Sequence, residues 1–290
     1  MTDVTDKPDN SRSVRVAKLI AERGMTSRRD AEAWIKDGRV AVNGTVLDSP
    51  AVVVNPAFDT VTVDRKPLPA RPDMVYYLMY KPRGVIVTRS DPQGRKSVFD
   101  LVTVNERVES VGRLDFDTEG ALLLTNDGDM AHALTHPSRE VPKRYMAKVY
   151  RTPDQRDIKA IQEGVFLDDG RTQPAKVRVL NATDKTNAWV EITVTEGRNR
   201  LIRRLFAQLG HPVSKLRRET FATLTIRGME RGQVRRLTHA EIKRLKDLAA
   251  GQKPSRAGKK KTGKGFAKAK PKPNARVRKN SPKARKQNKH

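Results

Sequence analysis

The spacing of apolar positions at the start of the chain predicts two short helices followed by a small sheet. Apolar residues recur at helical spacing over 14–23, and the helix they predict ends at Gly24. Ser27 has the position and chemistry of an N-cap for a second helix over 28–36. Asn43-Gly44, between β-branched residues, indicates the tight turn of a hairpin, and a further strand follows near residue 62.

The pattern changes after residue 73, where strands and helices are mixed without a regular βαβ alternation. Strands are predicted over 74–80, 85–88, 121–125, 144–150, 188–195 and 221–226. Helices are predicted over 129–134, from Pro153 to Gly164, over 199–209, and from the capping box of Thr238 and Glu241 to about residue 248. The mixture favours an α+β fold with a mainly antiparallel mixed sheet flanked by helices.

Composition adds boundaries to this picture. The polar N-terminus and the lysine-rich C-terminus lack the apolar mass of a core and are predicted to be disordered. The proline-containing stretch over 65–73 predicts a stiff linker. The predicted parts are therefore a disordered N-terminus 1–11, a small domain 12–64, a linker 65–73, a larger domain 74–250 and a disordered basic tail 251–290.

The charge of the chain indicates a polyanionic partner. The net charge is +27, and sixteen of the 60 Lys and Arg residues lie in 251–290, which has no Asp or Glu. Residues 1–250 still carry 44 basic and 33 acidic residues. Nucleic acid is the commonest partner of such a surface, with an anionic membrane as the alternative for the tail. Cysteine is absent, which fits a reducing cytoplasm, and neither a membrane-spanning run nor a signal peptide is recognisable.

Candidate chemistry is concentrated in the glycine-flanked loop that begins the segment Val111–Gly128. Arg113, Asp115 and Asp117 lie here, directly before an apolar strand. A loop carried by a rigid strand is a common place for catalytic side chains, although a solvated turn would have the same composition. The two carboxylates could also suggest a metal pair, but no further ligand set accompanies them.

Two later segments carry aromatic and basic groups. In Lys143–Val149, Tyr145 is either a core residue or a platform on which an extruded base stacks. In the predicted helix 199–209, Arg200, Arg203 and Arg204 follow helical i, i+3, i+4 spacing and would share one face. Such a face could contact phosphates, or one of its arginines could lower the pKa of a neighbouring carboxyl group.

Several motifs in order resemble the RsuA/RluB family of ribosomal RNA pseudouridine synthases. They are Tyr80-Lys-Pro-Arg-Gly-Val85, Gly112-Arg-Leu-Asp115 with Thr118-Glu-Gly120 and Leu123–Gly128, Lys143-Arg-Tyr145, and Glu196-Gly-Arg-Asn-Arg200 with Ile202-Arg203-Arg204. The segment Val14–Leu47 resembles an S4 RNA-binding domain, and His136–Val141 favours the large-subunit branch of the family. The resemblance covers residues 14 to about 245.

This resemblance implies a function for each motif. Asp115 would be the catalytic aspartate, Tyr145 would contact the target base with Ile202 packed beside it, Arg203 would pair with the catalytic carboxylate, and Arg113 would support the base. Six further basic residues of the motifs and of the second predicted helix are candidates for RNA binding: Arg28, Arg29, Lys81, Arg198, Arg200 and Arg204. Arg28 and Arg29 begin that helix, where the helix-end N–H groups also favour phosphate.

The implied reaction isomerises a uridine of large-subunit (23S) ribosomal RNA. It gains no atoms and involves no redox change, so no metal and no small-molecule cofactor is expected, and no nucleotide-binding motif is present. Ribosomal RNA is the expected partner and a monomer the expected state. The alternatives are an enzyme acting on 16S rRNA or tRNA, and a non-catalytic RNA-binding protein of ribosome assembly. An S4-containing synthetase would need a His-Ile-Gly-His or Lys-Met-Ser-Lys-Ser signature, and the sequence has neither.

Overall fold

The computed structural model describes residues 13–184 and 186–252. The predicted disordered segments, 1–11 and 251–290, lie almost entirely outside the described residues. Among the residues described, none of the helices combines the length and the apolar character needed to cross a bilayer.

The N-terminal part forms two helices over two small sheets. Its elements are β1 (Val14–Arg15), α1 (Val16–Glu22), α2 (Arg28–Lys36), β2 (Val40–Val42), β3 (Thr45–Val46), β4 (Val53–Val54), β5 (Val61–Val63) and β6 (Lys66–Pro67). The predicted cap of α2 is confirmed, because the Ser27 Oγ accepts a hydrogen bond from the Asp30 N–H at 3.1 Å. The hairpin turn is also confirmed: Asn43 and Gly44 both have positive φ, as a type I′ turn requires. Strand β6 pairs with β5, so the predicted linker begins inside this sheet.

The larger part is built on one nine-stranded mixed sheet. Its strands are β7 (Tyr76–Lys81), β8 (Glu109–Ser110), β9 (Thr118–Thr125), β10 (Lys143–Tyr150), β13 (Lys176–Asp184), β14 (Asn187–Val194), β15 (Val213–Phe221), β16 (Leu224–Thr225) and β17 (Val234–Arg236). A separate hairpin consists of β11 (Phe166–Leu167) and β12 (Gly170–Arg171). The main path runs β13-β14-β10-β15-β9-β7-β17, and every pair in it is antiparallel except β15 with β9. The predicted mainly antiparallel α+β architecture is confirmed.

In the part of the chain that the structure describes, four α-helices flank this sheet: α3 (Gly128–Thr135), α4 (Gln155–Glu163), α5 (Leu201–Gln208) and α6 (His239–Ala249). The capping box predicted at Thr238 and Glu241 is present at the start of α6. Strand β7 is buried along its whole length, because one set of its side chains packs with α3 and α6 and the alternate set packs against residues of the 85–108 segment. A third cluster joins α4 and α5 to β10 and β14.

The structure differs from the predicted elements at several positions in the larger part. Residues 85–88 form no strand and contribute only an isolated bridge between Ile86 and Ser97. Asp154 caps α4, so Pro153 precedes the helix and does not begin it. Strand β15 occupies the centre of the sheet although its sequence is rich in basic residues, which is why the apolar pattern placed a strand only at its end.

A glycine allows the one parallel pair of the main sheet path to form. Gly120 has φ +126°, and a Cβ at this position would lie 2.3 Å from the carbonyl oxygen of Arg218. A side chain there would push β9 and β15 apart. The absence of that side chain brings the loop before β9 against the strand that follows α5.

Candidate active site

The loop between β8 and β9 carries Asp115 at the surface of the larger part. Its turn is closed by a hydrogen bond from the Thr118 N–H to the Asp115 carbonyl oxygen at 3.1 Å. The Asp115 side chain is 34% exposed, so its carboxylate is reachable from outside. The loop therefore holds the backbone of Asp115 in place and leaves its charged group available.

Lys81 supports this loop from inside the protein. The residue is 0% exposed, and its Nζ donates to the carbonyl oxygens of Asp115 at 3.1 Å, Thr118 at 2.9 Å and Pro82 at 3.0 Å. Burial lowers the pKa of Lys81 to about 8, against the opposing effect of the Asp115 and Asp117 carboxylates. The prediction that Lys81 binds RNA is wrong, because its three N–H groups are taken by backbone oxygens and solvent does not reach it.

The arginine predicted to pair with Asp115 pairs with another carboxylate. Arg203 Nη2 lies 2.8 Å from Asp117 Oδ2, and Arg203 Nη1 donates to the Val213 carbonyl oxygen at 3.0 Å. The guanidinium nearest Asp115 belongs to Arg200, whose Nη1 is 4.0 Å from Asp115 Oδ2 and 3.8 Å from Asp117 Oδ1. Burial lowers the pKa of Arg203, and the Asp117 carboxylate opposes this shift.

The three arginines of this segment do not share a helix face. Helix α5 begins at Leu201, and Arg200 is its N-cap residue with a left-handed backbone, φ 46°. Its side chain therefore leaves the helix axis in a different direction from those of Arg203 and Arg204. Arg203 reaches inward to Asp117, whereas the Arg204 guanidinium pairs with Asp168 at 2.6 Å and with Asp169 at 2.8 Å.

A pocket of about 300 Å³ opens beside Asp115. Tyr145 on β10 and Ile202 on α5 both line it, and Tyr145 packs against the hydrophobic cluster that contains Ile202. The structure thus brings together Asp115, Tyr145 and Ile202, as the resemblance implied, with Arg113 and Arg200 also in the lining. The volume lies at the lower end of the range for small-molecule pockets.

Two basic residues that the site prediction did not include form part of the pocket wall. Lys143 Nζ donates to the carbonyl oxygens of Val141 at 2.8 Å and Thr195 at 3.0 Å. Burial, together with the nearby charge of Arg218, lowers the pKa of Lys143 to about 8. Arg218 is only 2% exposed and donates through Nε to the Ala121 carbonyl oxygen at 2.7 Å. Lys143 stands in the quoted Lys-Arg-Tyr motif, but no sequence signal singled out Arg218.

The other predicted RNA-binding residues differ in how far they are available. The guanidinium of Arg198 pairs with Asp169 and also donates to the carbonyl oxygens of Arg171 and Gly170, so it is already occupied by protein acceptors. Arg204 is similarly engaged. By contrast, Arg28, Arg29 and Arg113 are exposed.

Within 13–184 and 186–252, no group of three or more His, Asp or Glu residues is arranged to hold a metal ion. Asp115 and Asp117, the pair considered above as possible ligands, are placed against the guanidinium groups of Arg200 and Arg203. The geometry therefore combines a reachable carboxylate, an aromatic ring and several cations around one pocket.

Comparison with known families gives two matches along the chain. Residues 75–208 match the model for RNA pseudouridylate synthases, and residues 14–60 match the model for S4 domains. The first match contains the loop of Asp115, Tyr145 and α5. The second contains α1, α2 and the hairpin.

Individual relatives agree with these matches. The chain is 44% identical over 237 residues to the ribosomal large subunit pseudouridine synthase B of Bacillus subtilis, covering 81% of this chain and 96% of that protein. A protein of the same name from Pseudomonas aeruginosa is 34% identical, covering 88% and 67%. A crystal structure of a pseudouridylate synthase is 30% identical with a TM-score of 0.58, covering 80% of this chain and 99% of the other. The chain therefore belongs to the RNA pseudouridine synthase family and carries an S4 domain before its synthase domain.

Proposed function

We propose that this protein converts a uridine of large-subunit (23S) ribosomal RNA to pseudouridine, with Asp115 as the catalytic carboxylate. The observation that carries the proposal is the reachable Asp115 carboxylate at a pocket that Tyr145 also lines. The similarity to two proteins named as large-subunit synthases supports the choice of RNA.

The reaction requires only groups that the chain itself supplies. The C1′–N1 bond breaks, the uracil turns, a C1′–C5 bond forms, and the proton lost from C5 is balanced by a proton gained at N1. Asp115 would act as the nucleophile at C1′ or C6, or as the base at C2′. Each route starts from an ionised carboxylate, and the nearest cation is the guanidinium of Arg200, 4.0 Å from Asp115 Oδ2.

The target base must leave its stack before Asp115 can reach it. Unstacking requires a few kcal/mol, which contacts within the pocket must restore. Stacking on an aromatic ring such as Tyr145 returns about 1–3 kcal/mol. The exposed Arg113, Arg28 and Arg29 are suited to phosphate contacts, which supply the rest.

The decisive variant is Asp115→Asn, which keeps the size of the side chain and removes its charge. We expect isomerisation to fall by about 10²–10⁴-fold or more, with RNA affinity retained within about threefold. The assay is tritium release from RNA labelled at uridine C5. Glu163→Gln, the same change at a 57% exposed position at the end of α4, is the matched control. Near-normal activity of Asp115→Asn would refute the assignment.

The choice of RNA needs a separate measurement. Pseudouridines mapped in 23S rRNA, 16S rRNA and tRNA from cells lacking the gene should show one missing site, in 23S rRNA. A missing site in 16S rRNA or tRNA would keep the chemistry and change the substrate. A full set of sites, with no activity of the purified protein on any RNA, would favour a non-catalytic role in ribosome assembly. Because the proposed substrate is ribosomal, we also propose that the protein acts in the cytoplasm. A monomer is the state expected from the sequence.

A further inference from the structure

A second pocket lies on the other side of the Asp115 loop. Its volume is about 280 Å³, and its lining includes Ile86, Val87 and Phe116. Arg113, Leu114 and Asp115 line this pocket as well as the first one. One short stretch of loop, which includes Asp115, therefore lines both pockets.

Phe116 is the distinctive residue of the second pocket. It follows Asp115 directly and is 48% exposed, although its backbone is fixed by a hydrogen bond from the Gly84 N–H to its carbonyl oxygen at 2.8 Å. Single exposed hydrophobic residues are common on protein surfaces. An exposed ring on a fixed backbone, at a pocket next to a proposed catalytic group, is a better candidate for ligand contact because little freedom is lost on binding.

The surroundings of Phe116 combine an apolar floor with a cationic rim. Ile86 and Val87 are almost completely buried beneath the pocket. Two arginines line it: Arg113 is exposed and available to a phosphate, whereas Arg95 is already paired with Asp91 through Nη2–Oδ1 at 2.7 Å and Nε–Oδ2 at 3.0 Å. A nucleotide presents the complementary groups, a flat base with an apolar face and a phosphate with negative charge.

We propose that this second pocket binds the base of a nucleotide next to the target uridine, stacked on Phe116. The inference rests on the proposed function, because it assumes that RNA enters the first pocket. A target base in the first pocket and its covalently linked neighbour in the second would place the connecting backbone over Arg113. The subsite would require an unpaired base beside the target uridine. It would accept any of the four bases, because stacking does not depend on base identity.

The test is a double-mutant cycle that combines protein variants with altered RNA substrates. Short RNA substrates carry either an intact neighbour or an abasic site, placed on the 5′ or the 3′ side of the target uridine. Phe116→Ala should raise KM for the intact RNA by about 5- to 150-fold, which corresponds to about 1–3 kcal/mol of stacking. kcat should stay within about twofold, and Phe116→Trp should restore KM.

The cycle separates a lost stack from a general defect. On the RNA that lacks the stacking base, wild type should be weakened by the same factor, and Phe116→Ala should lose nothing more. Phe166→Ala, which removes a 70% exposed ring elsewhere, should change intact and abasic RNAs equally. Equal losses for Phe116→Ala on intact RNA and on both abasic RNAs, or no loss at all, would overturn the proposal.

The same cycle measured as Kd in the Asp115→Asn background does not depend on turnover. Loss of isomerisation by wild type on every RNA would refute the proposed function, whereas absence of coupling in Kd would refute the subsite alone.

Discussion

Lys81 lies behind the Asp115 loop and Lys143 lies in the pocket wall, yet burial lowers the pKa of both amines to a similar extent. Burial lowers the pKa of each to about 8, and each donates to backbone carbonyl oxygens. Lys81, behind the Asp115 loop, gives all three N–H groups to the protein. Lys143, in the pocket wall, gives two. Lys81 therefore has no N–H group left for a ligand and holds the loop. Lys143 has one N–H group left, which can bind a ligand.

Among the basic residues of the site, the largest effect is expected at Lys81, the amine behind the loop. Lys81→Met should lower kcat/KM by about 10²-fold and the free energy of unfolding by about 3 kcal/mol, because three buried carbonyl groups lose their donor. Chemical denaturation and tritium release measure the two effects. Lys159→Met, at a 75% exposed position of α4, is the matched control. If the Lys81→Met enzyme were active and stable, the loop would keep its conformation without this amine.

A smaller, pH-dependent effect is expected at the amine in the pocket. Lys143 is protonated below a pKa of about 8, so its charge disappears as the pH rises through that value. We expect the KM of the wild type for RNA to increase about 3- to 10-fold between pH 7 and pH 9. Lys143→Arg remains charged throughout this range and should have a flatter profile. If KM depended on pH in the same way in both proteins, Lys143 would not contact the RNA.

The smallest effect is expected where the cation is already paired. Arg204→Ala should change RNA affinity by less than about twofold, because its guanidinium is engaged by Asp168 and Asp169. Arg113→Ala should weaken binding several-fold and reduce the slope of log K against log salt by about 1, since an exposed guanidinium can release a counterion. Filter binding at several salt concentrations measures the RNA affinity and the salt slope of both variants. If Arg204→Ala lost more RNA affinity than Arg113→Ala, this assignment would be wrong.

Local signals in the sequence predicted local structure well. The Ser27 cap, the Asn43-Gly44 turn and the capping box at Thr238 each depend on residues a few positions apart, and each is present. The position of Asp115 in a loop before a buried strand was predicted for the same reason. The sequence predicted a mainly antiparallel mixed sheet but not the order of its strands, because that order depends on pairings between distant segments.

The parts of the site that were predicted wrongly depend on long-range geometry. Asp115 and Asp117 are two residues apart, and the packing of α5 on the sheet decides which of them Arg203 meets. A left-handed residue at Arg200 starts α5 later than its apolar pattern indicates. Lys81 belongs to a motif that contains a turn and one further basic residue, Arg83, and only the tertiary structure shows that the Lys81 amine is enclosed.

The parallel pairing of β9 with β15 spans three residue pairs, from Thr118–Leu216 to Gly120–Arg218. Asp115 and Asp117 come from the β9 side of this contact, whereas Tyr145, Lys143 and Arg203 come from the β15 side. The active site is thus assembled across this short contact, and hydrophobic packing also spans it, because Phe221 of β15 packs in one cluster with residues of β7 and β9. A substitution that displaces β9 from β15 at these three residue pairs would move Asp115 away from Tyr145, so activity should be lost even where the other strand pairings of the sheet remain.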